Sequence, residues 1–400
     1  MKRLFPIALV AAGFLLLVTS PTVASAASTQ SSARVPSTLW NINMLNAHDG
    51  FVSGYQGPRF YLWSTDDGGA KWIRLAVPGA PMMSPSWTSP PTVMFRTPKD
   101  GWVSWVTVGK ASSTLVVLHS TTGGHSWQKY EAKVPSVVDE VLQIDFISLR
   151  TGWIRTMSFG ASEQADPSIF HTGNGGRTWS LVSSTGGYVP NRAATPDALP
   201  GFDVPMPMTF TNAKDGWAAV GNFVATQNSL ATLYHTTTAG RRWYPVQLPV
   251  PKPLKHGFAT IEYQPVFSGQ IGTVLIEYEA RTNHLVAYHT VNGGKSWSVG
   301  SILTFRQSTF QMSESFVNPQ IGWVIGQDGT DDEVTRDHGV TWSHIPVRGA
   351  LRKYLTSHYQ VDQLNMVSEK SGWMLLRKGT GVTKLLKTSD GGVTWVAQRW

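Results

Sequence analysis

The chain alternates between short apolar runs, rich in Val, Leu, Ile and aromatic residues, and short polar clusters of Gly, Ser, Thr, Asp and Asn. Runs such as Thr114-Leu115-Val116-Val117-Leu118 and Thr232-Leu233-Tyr234 have the β-branched and aromatic content of strands, and no amphipathic helical period lies between them. The polar clusters repeat with a fixed chemistry. Their clearest copy is Thr388-Ser389-Asp390-Gly391-Gly392-Val393-Thr394-Trp395, and six others end at Trp72, Trp127, Trp179, Trp243, Trp297 and Trp342. A polar run of this kind between two strands is a turn: Gly supplies positive φ, and Asp, Asn or Thr oxygens bond the local backbone. Each cluster therefore joins two antiparallel strands.

A second landmark precedes each of these tryptophans by 20 to 27 residues: Gly50-Phe51, Gly101-Trp102, Gly152-Trp153, Gly216-Trp217, Gly272-Thr273, Gly322-Trp323 and Gly372-Trp373. It reads as another tight corner flanked by strands, so each unit holds four strands, A to D. The tryptophans recur at intervals of 45 to 64 residues. Seven such units predict an all-β, seven-bladed β-propeller with four antiparallel strands per blade. Residues 39–400 then form one domain, because burial is spread between blades rather than gathered in one core. The units read complete from A to D. No shared blade is evident, although Arg34 to Thr38 could add an edge strand to blade 7.

The turn pattern, Ser/Thr-x-Asp-x-Gly-x-Thr/Ser-Trp, resembles the Asp-box or BNR repeat. Together with the upstream Gly-Trp it is similar to the Ycf48-like family of photosystem II assembly and stability factors. The resemblance implies the seven-bladed propeller and a role in protein assembly or stability. The repeat also occurs in sialidases, xyloglucanases and sortilin-type receptors, so it speaks to fold more than to function. The box acid is present as Asp67, Asp337 and Asp390, with Asn174, Asn292, Thr122 and Thr238 in the other copies. Asn and Thr can bond a turn but carry no charge, so the box is read as structural, with its seven tryptophans packing between blades.

Residues 1–26 have the form of a secretory signal peptide: Lys2-Arg3, an apolar run from Leu4 to Val18, then Ala24-Ser25-Ala26 as a cleavage site. Residues 27–38 read as a flexible leader. The expected location is secreted or cell-envelope associated, with membrane contact only peripheral unless the signal stays uncleaved. There is no Cys, which excludes disulfides. A monomer is expected.

The D-to-A connectors, long and Pro-rich, are expected to share one face with the B–C loops, and the box turns the other. They hold the ligand-binding candidates Trp87, Arg192, Lys252, Lys255, His256, Arg306, Arg348, Arg352, Lys353 and Tyr354. The chain's formal charge is +8, of which Lys2 and Arg3 supply two. These cations point to a protein complex or an anionic cell-envelope component as partner, and no nucleic acid is expected. Of seventeen tryptophans, seven are in boxes and five follow the Gly corners. Among Trp40, Trp63, Trp87, Trp105 and Trp400, only Trp87 falls in a connector.

His119, His171, His235 and His289 occupy one repeat position, so they sit in different blades and cannot converge on a metal; neither a metal nor a cofactor is expected. The alternative function is a glycoside hydrolase, sialidase-like or other. Phe95-Arg96-Thr97-Pro98 resembles the sialidase Phe/Tyr-Arg-Ile-Pro motif, but it shares its register with Phe146, Phe210 and Phe316, and no catalytic residues are assigned.

Overall fold

The computed structural model describes residues 22–25, 38–82, 89–110, 112–134, 138, 140–159, 165–186, 194–200, 207–220, 232–254, 258–279, 282–305, 312–326, 332–379 and 381–398. They form seven sheets, each with four antiparallel strands from one contiguous stretch of chain. Blade 3 shows the plan: Glu140–Phe146, Gly152–Phe159, Ala165–Thr172 and Ser180–Ser184 pair in sequence order from the axis outwards. Blade 1 runs from Thr38–Met44 to Ile73–Leu75, and blade 7 from Gln360–Met366 to Thr394–Ala397. The protein is a seven-bladed β-propeller.

The two turns of each blade lie together and hold each other. In all seven blades, a backbone N–H of the box turn donates to a carbonyl of the A–B corner, as Gly123 to Lys99 (2.8 Å) and Gly391 to Lys370 (2.9 Å) do. The fourth and sixth copies use Ala239 and His338 for this bond, and both are left-handed, with φ of 59° and 66°. The turn geometry thus persists where glycine does not.

The Gly of the Gly-Trp landmark has a different task from the one its sequence suggests. It is the first residue of strand B in five blades and the second in blades 5 and 6, rather than the turn itself, and it faces a large side chain on strand A, in register as Phe95↔Gly101 and Phe146↔Gly152. A Cβ on Gly152 would lie 2.4 Å from the Phe146 ring, so a bare backbone is required for close approach.

That ring completes an aromatic layer between blades. Trp102 of blade 2 stacks on Phe146 of blade 3 at 3.8 Å, and Trp179 meets Phe146 edge-on at 5.9 Å. His119 covers the other face of Trp102 at 4.6 Å. The same set recurs as His171, Trp153, Phe210 and Trp243. Blade 5 has Thr273 where the others have an aromatic; Thr273 donates instead to the Pro319 carbonyl (2.7 Å), and His289 stacks on His338 of blade 6. The four repeated histidines are thus packing elements in successive interblade layers.

Two blades gain an outer strand. Thr22–Ser25, within the expected signal, pairs antiparallel with Ser126–Val134 of blade 2. Arg348–Gly349 pairs parallel with Thr394–Ala397 of blade 7 and leads into a helix, α1 (Ala350–Leu355), the one α-helix among the described residues. The extra strand on blade 7 therefore comes from the blade 6–7 connector. Thr38, expected as a possible addition to that blade, begins the inner strand of blade 1, and residues 34–37 lie outside the described residues.

Candidate functional site

The inner strand of each blade has no strand on its axial side, which leaves its edge groups to be satisfied some other way. Between blades 1 and 2, 3 and 4, 6 and 7, and 7 and 1, side chains of the neighbouring blade do this. Asn43 accepts the Phe95 N–H at 2.6 Å, Gln143 accepts that of Met208 (3.0 Å) and returns a bond to its carbonyl (2.7 Å), and Asp145 accepts that of Phe210 (3.0 Å). Ser315 accepts from Met366. From blade 7 to blade 1, Gln363 accepts from Ile42 (2.9 Å) and Asn365 from Met44 (2.6 Å). The ring closes through side chains, without a shared blade. Thr38 Oγ1 to the Gly381 carbonyl and the Leu39 N–H to Thr383 strengthen the seam.

Near the axis the inner strands of blades 1, 2, 3 and 7, with Gln264 of blade 5, line an open cavity of about 550 Å³. Trp40, Asn41, Asn43, Glu140, Gln143, Asp145, Gln264 and Gln363 line it, with Pro90 and Pro91 at its edge. Bulges set what faces it. The pairing of strands A and B skips from Leu39 to Asn41 in blade 1 and from Val361 to Gln363 in blade 7, so Trp40 and Asp362 are the extra residues. A bulge re-aims the extra side chain, and here two adjacent blades use it together. Arg377 lies over the Trp40 ring, 4.7 Å from its centroid, while it binds Asp362 through Nε (3.1 Å) and Nη2 (2.5 Å) and donates to the Leu39 carbonyl. Trp40 remains 40% exposed.

Several ionisable groups near the axis are driven towards their neutral forms. Burial pushes the Asp145 carboxyl up to about 6, with the Phe210 N–H acting the other way. Burial lowers the Arg155 guanidinium to about 9, and the charge of Glu140 opposes that shift. Between blades 5 and 6, burial raises Glu277 to about 7, assisted by the charge of Glu279, and raises Glu314 to about 8. Tyr263, beside both, is raised well above its usual value by burial and by their charges.

The box residues lie in the seven turns. Asp67, Asp337 and Asp390 each accept a backbone N–H four residues on, at 2.8 to 2.9 Å, and Asn174, Asn292, Thr122 and Thr238 make the same bond. Trp72, Trp127, Trp179, Trp243, Trp297 and Trp395 are buried, and Trp342 is half-buried. Of the binding candidates, Trp87, Arg192, Lys255, His256 and Arg306 lie outside the described residues. Lys252 is exposed on a 3-10 turn, Lys252–Leu254, between blades 4 and 5. Arg348, Arg352 and Lys353 are exposed on the outer edge of blade 7, with Tyr354 half-buried against Tyr359. This group forms one patch, which Lys252, on another blade, does not join. Arg96, of the sialidase-like tetrapeptide, pairs with Asp100 within its own A–B corner (3.1 Å). Among the described residues no group of three or more His, Asp or Glu could hold a metal ion.

Trp40 and the axial amides were not picked out by sequence reasoning. Their signal is a polar-apolar-polar triplet on strand A: Asn41-Ile42-Asn43, Gln143-Ile144-Asp145 and Gln363-Leu364-Asn365.

Compared with known proteins, the sequence matches no family model and no curated protein. Its fold is similar to that of solved structures. YCF48 bound to a D1 peptide shares 16% identity at a TM-score of 0.51, over 91% of this chain and 94% of that one. An ulvan lyase, a polysaccharide lyase, in complex with a saccharide shares 10% identity at 0.50, over 93% and 98%. An uncharacterized protein from Listeria monocytogenes shares 8% at 0.50, over 92% and 96%. The likeness to YCF48 that the repeat pattern suggested is therefore present in the fold.

Proposed function

We propose that this chain is an exported, non-catalytic scaffold that binds a protein or an anionic envelope component through its connectors, in the assembly or stability of a complex. The observation that carries this reading is the patch on blade 7. Arg348, Arg352 and Lys353 are exposed and make no ion pair among the described residues, whereas Arg96, Arg242, Arg336 and Arg377 are each paired with a carboxylate. Unpaired cations on a rigid edge give a pre-ordered surface for an acidic partner, and preorganisation lowers the cost of binding. YCF48, which has the same fold, is bound to a peptide. Hydrolysis of a glycoside would need two carboxyls flanking the bond. The two acids of the axial cavity, Glu140 and Asp145, come from a single strand, and Asp145 already holds the Phe210 N–H.

The test is a pull-down from cell-envelope extract with the mature chain and with the Arg348→Ala/Arg352→Ala/Lys353→Ala variant, followed by mass spectrometry of proteins and glycans. The proposal expects a specific partner that is released by added salt and lost with the triple variant. Processed glycan fragments with no retained partner would move the assignment to a hydrolase.

A further inference from the structure

The axial cavity has a chemistry that the blade 7 patch does not share. No Lys, Arg or His lines it. Its two acids are engaged, Asp145 by the Phe210 N–H and Glu140 in the field of Arg155. Arg377, over the Trp40 ring, is paired with Asp362, so an anionic polymer would meet no unpaired cation there. The uncommitted groups are neutral: Asn41 Oδ1, Asn43 Nδ2 and Gln264 Oε1 have no hydrogen-bond partner among the described residues once the interblade bonds are made. A peptide adding as an extra strand would look for free backbone N–H groups on the inner edges. Those of Ile42, Met44, Phe95, Met208 and Phe210 are already taken by side chains.

Trp40 supplies the apolar element. Nothing in the blade's core requires it: Leu39, Ile42 and Met44 are the buried residues of that strand, and the bulge places Trp40 outside their alternation. Yet its ring is held in place by Arg377, itself fixed by Asp362 and by the Leu39 carbonyl. A fixed, partly exposed indole beside neutral amides, in a cavity of about 550 Å³, suits a ligand that has a flat apolar face and a rim of hydroxyls. A pyranose ring has both.

We propose that the axial cavity binds a neutral sugar unit of a glycan, with Trp40 as the stacking platform and Asn41, Asn43 and Gln264 bonding its hydroxyls. This site is separate from the cationic edge of blade 7, and each can fail without the other.

The experiment is calorimetric and saturation-transfer NMR titration of the full chain with cellobiose, maltose, N,N'-diacetylchitobiose and their tetrasaccharides, beside an oligogalacturonate and an acidic peptide as charged controls. At least one neutral saccharide should bind saturably and with little salt dependence, and Trp40→Ala should weaken it by about tenfold or more, the loss of roughly 1.4 kcal/mol. Gln264→Ala should weaken it too, and it decides the matter if Trp40→Ala fails to fold. The proposal is overturned if no neutral saccharide binds at about 10 mM, a concentration that detects even millimolar affinity. It is equally overturned if binding survives in folded Trp40→Ala or in Gln264→Ala, or if only the charged controls bind.

Discussion

Asn365 in blade 7 accepts the backbone N–H of Met44 in blade 1 at 2.6 Å, across 321 residues of sequence. The same relation joins Asn43 to Phe95 and Asp145 to Phe210, so ring closure uses the bond that joins blades elsewhere. Asn365→Ala leaves the Met44 N–H without its acceptor beside a 3% exposed side chain. Losing the partner of a buried donor costs about 1–3 kcal/mol. Urea denaturation should show that loss for Asn365→Ala and a similar one for Asn43→Ala. If Asn365→Ala matched the parent while Asn43→Ala did not, the seam between blades 7 and 1 would be held by something other than this bond.

Gly152→Ala tests the reading of the Gly-Trp landmark as a space requirement. Its Cβ would lie 2.4 to 2.6 Å from three atoms of the Phe146 ring, which is itself clamped between Trp102 and Trp179. Overpacking of this kind costs about 1–3 kcal/mol. Gly173, in the same blade, has nothing within 4 Å of its notional Cβ and no left-handed φ. Gly173→Ala should leave the melting temperature close to the parent value. Equal effects at the two sites would remove the steric argument.

The blade count was legible because one turn chemistry and one aromatic layer recur seven times, and a recurring chemistry needs no long-range information. The axial site was less legible for the opposite reason. Trp40 earns its position only from a bulge and from Arg377, two strands away in blade 7, and neither relation is visible along the sequence. The triplets such as Gln363-Leu364-Asn365 were readable in principle, but their partners are the backbones of other blades. Helix α1 escaped because it is too short to show a period, with Leu351 as its one buried residue.

Stability should fall as pH rises from about 6.5 to about 8, given reference values near 4.3 for a free Glu and 6.5 for a free His. Glu277 and Glu314 are raised by burial to about 7 and about 8, so the folded state holds protons that the unfolded chain has released. Their contribution is complete below the unfolded value and is lost as pH climbs through the folded ones. His119 runs the other way: burial lowers it to about 4, against the charge of Asp100, so its contribution is present above the unfolded value and is lost as pH falls through about 4. Above about pH 7.5, where a free imidazole has lost its proton too, its contribution is constant, and the two glutamates dominate. Melting curves at pH 6.5 and 8.0 should show the decline, and Glu277→Gln/Glu314→Gln should flatten it. A decline of the same size in that double variant would assign it to other groups.

The seven box turns make one further comparison possible, because nature has already varied the residue at one position. Asp390 accepts the Thr394 N–H at 2.8 Å, Asn174 that of Thr178 at 2.9 Å, and Thr122 that of Ser126 at 2.9 Å. If the position serves only the turn, oxygen matters and charge does not. Asp390→Asn should therefore stay within about 0.5 kcal/mol of the parent, as surface changes that keep their bonds do. Asp390→Ala, which removes the acceptor, should cost about 0.5–2 kcal/mol, by analogy with the loss of a capping side chain. Both are read from urea midpoints at one pH. A large loss in Asp390→Asn would show that the carboxylate's charge has a role that the turn geometry does not explain.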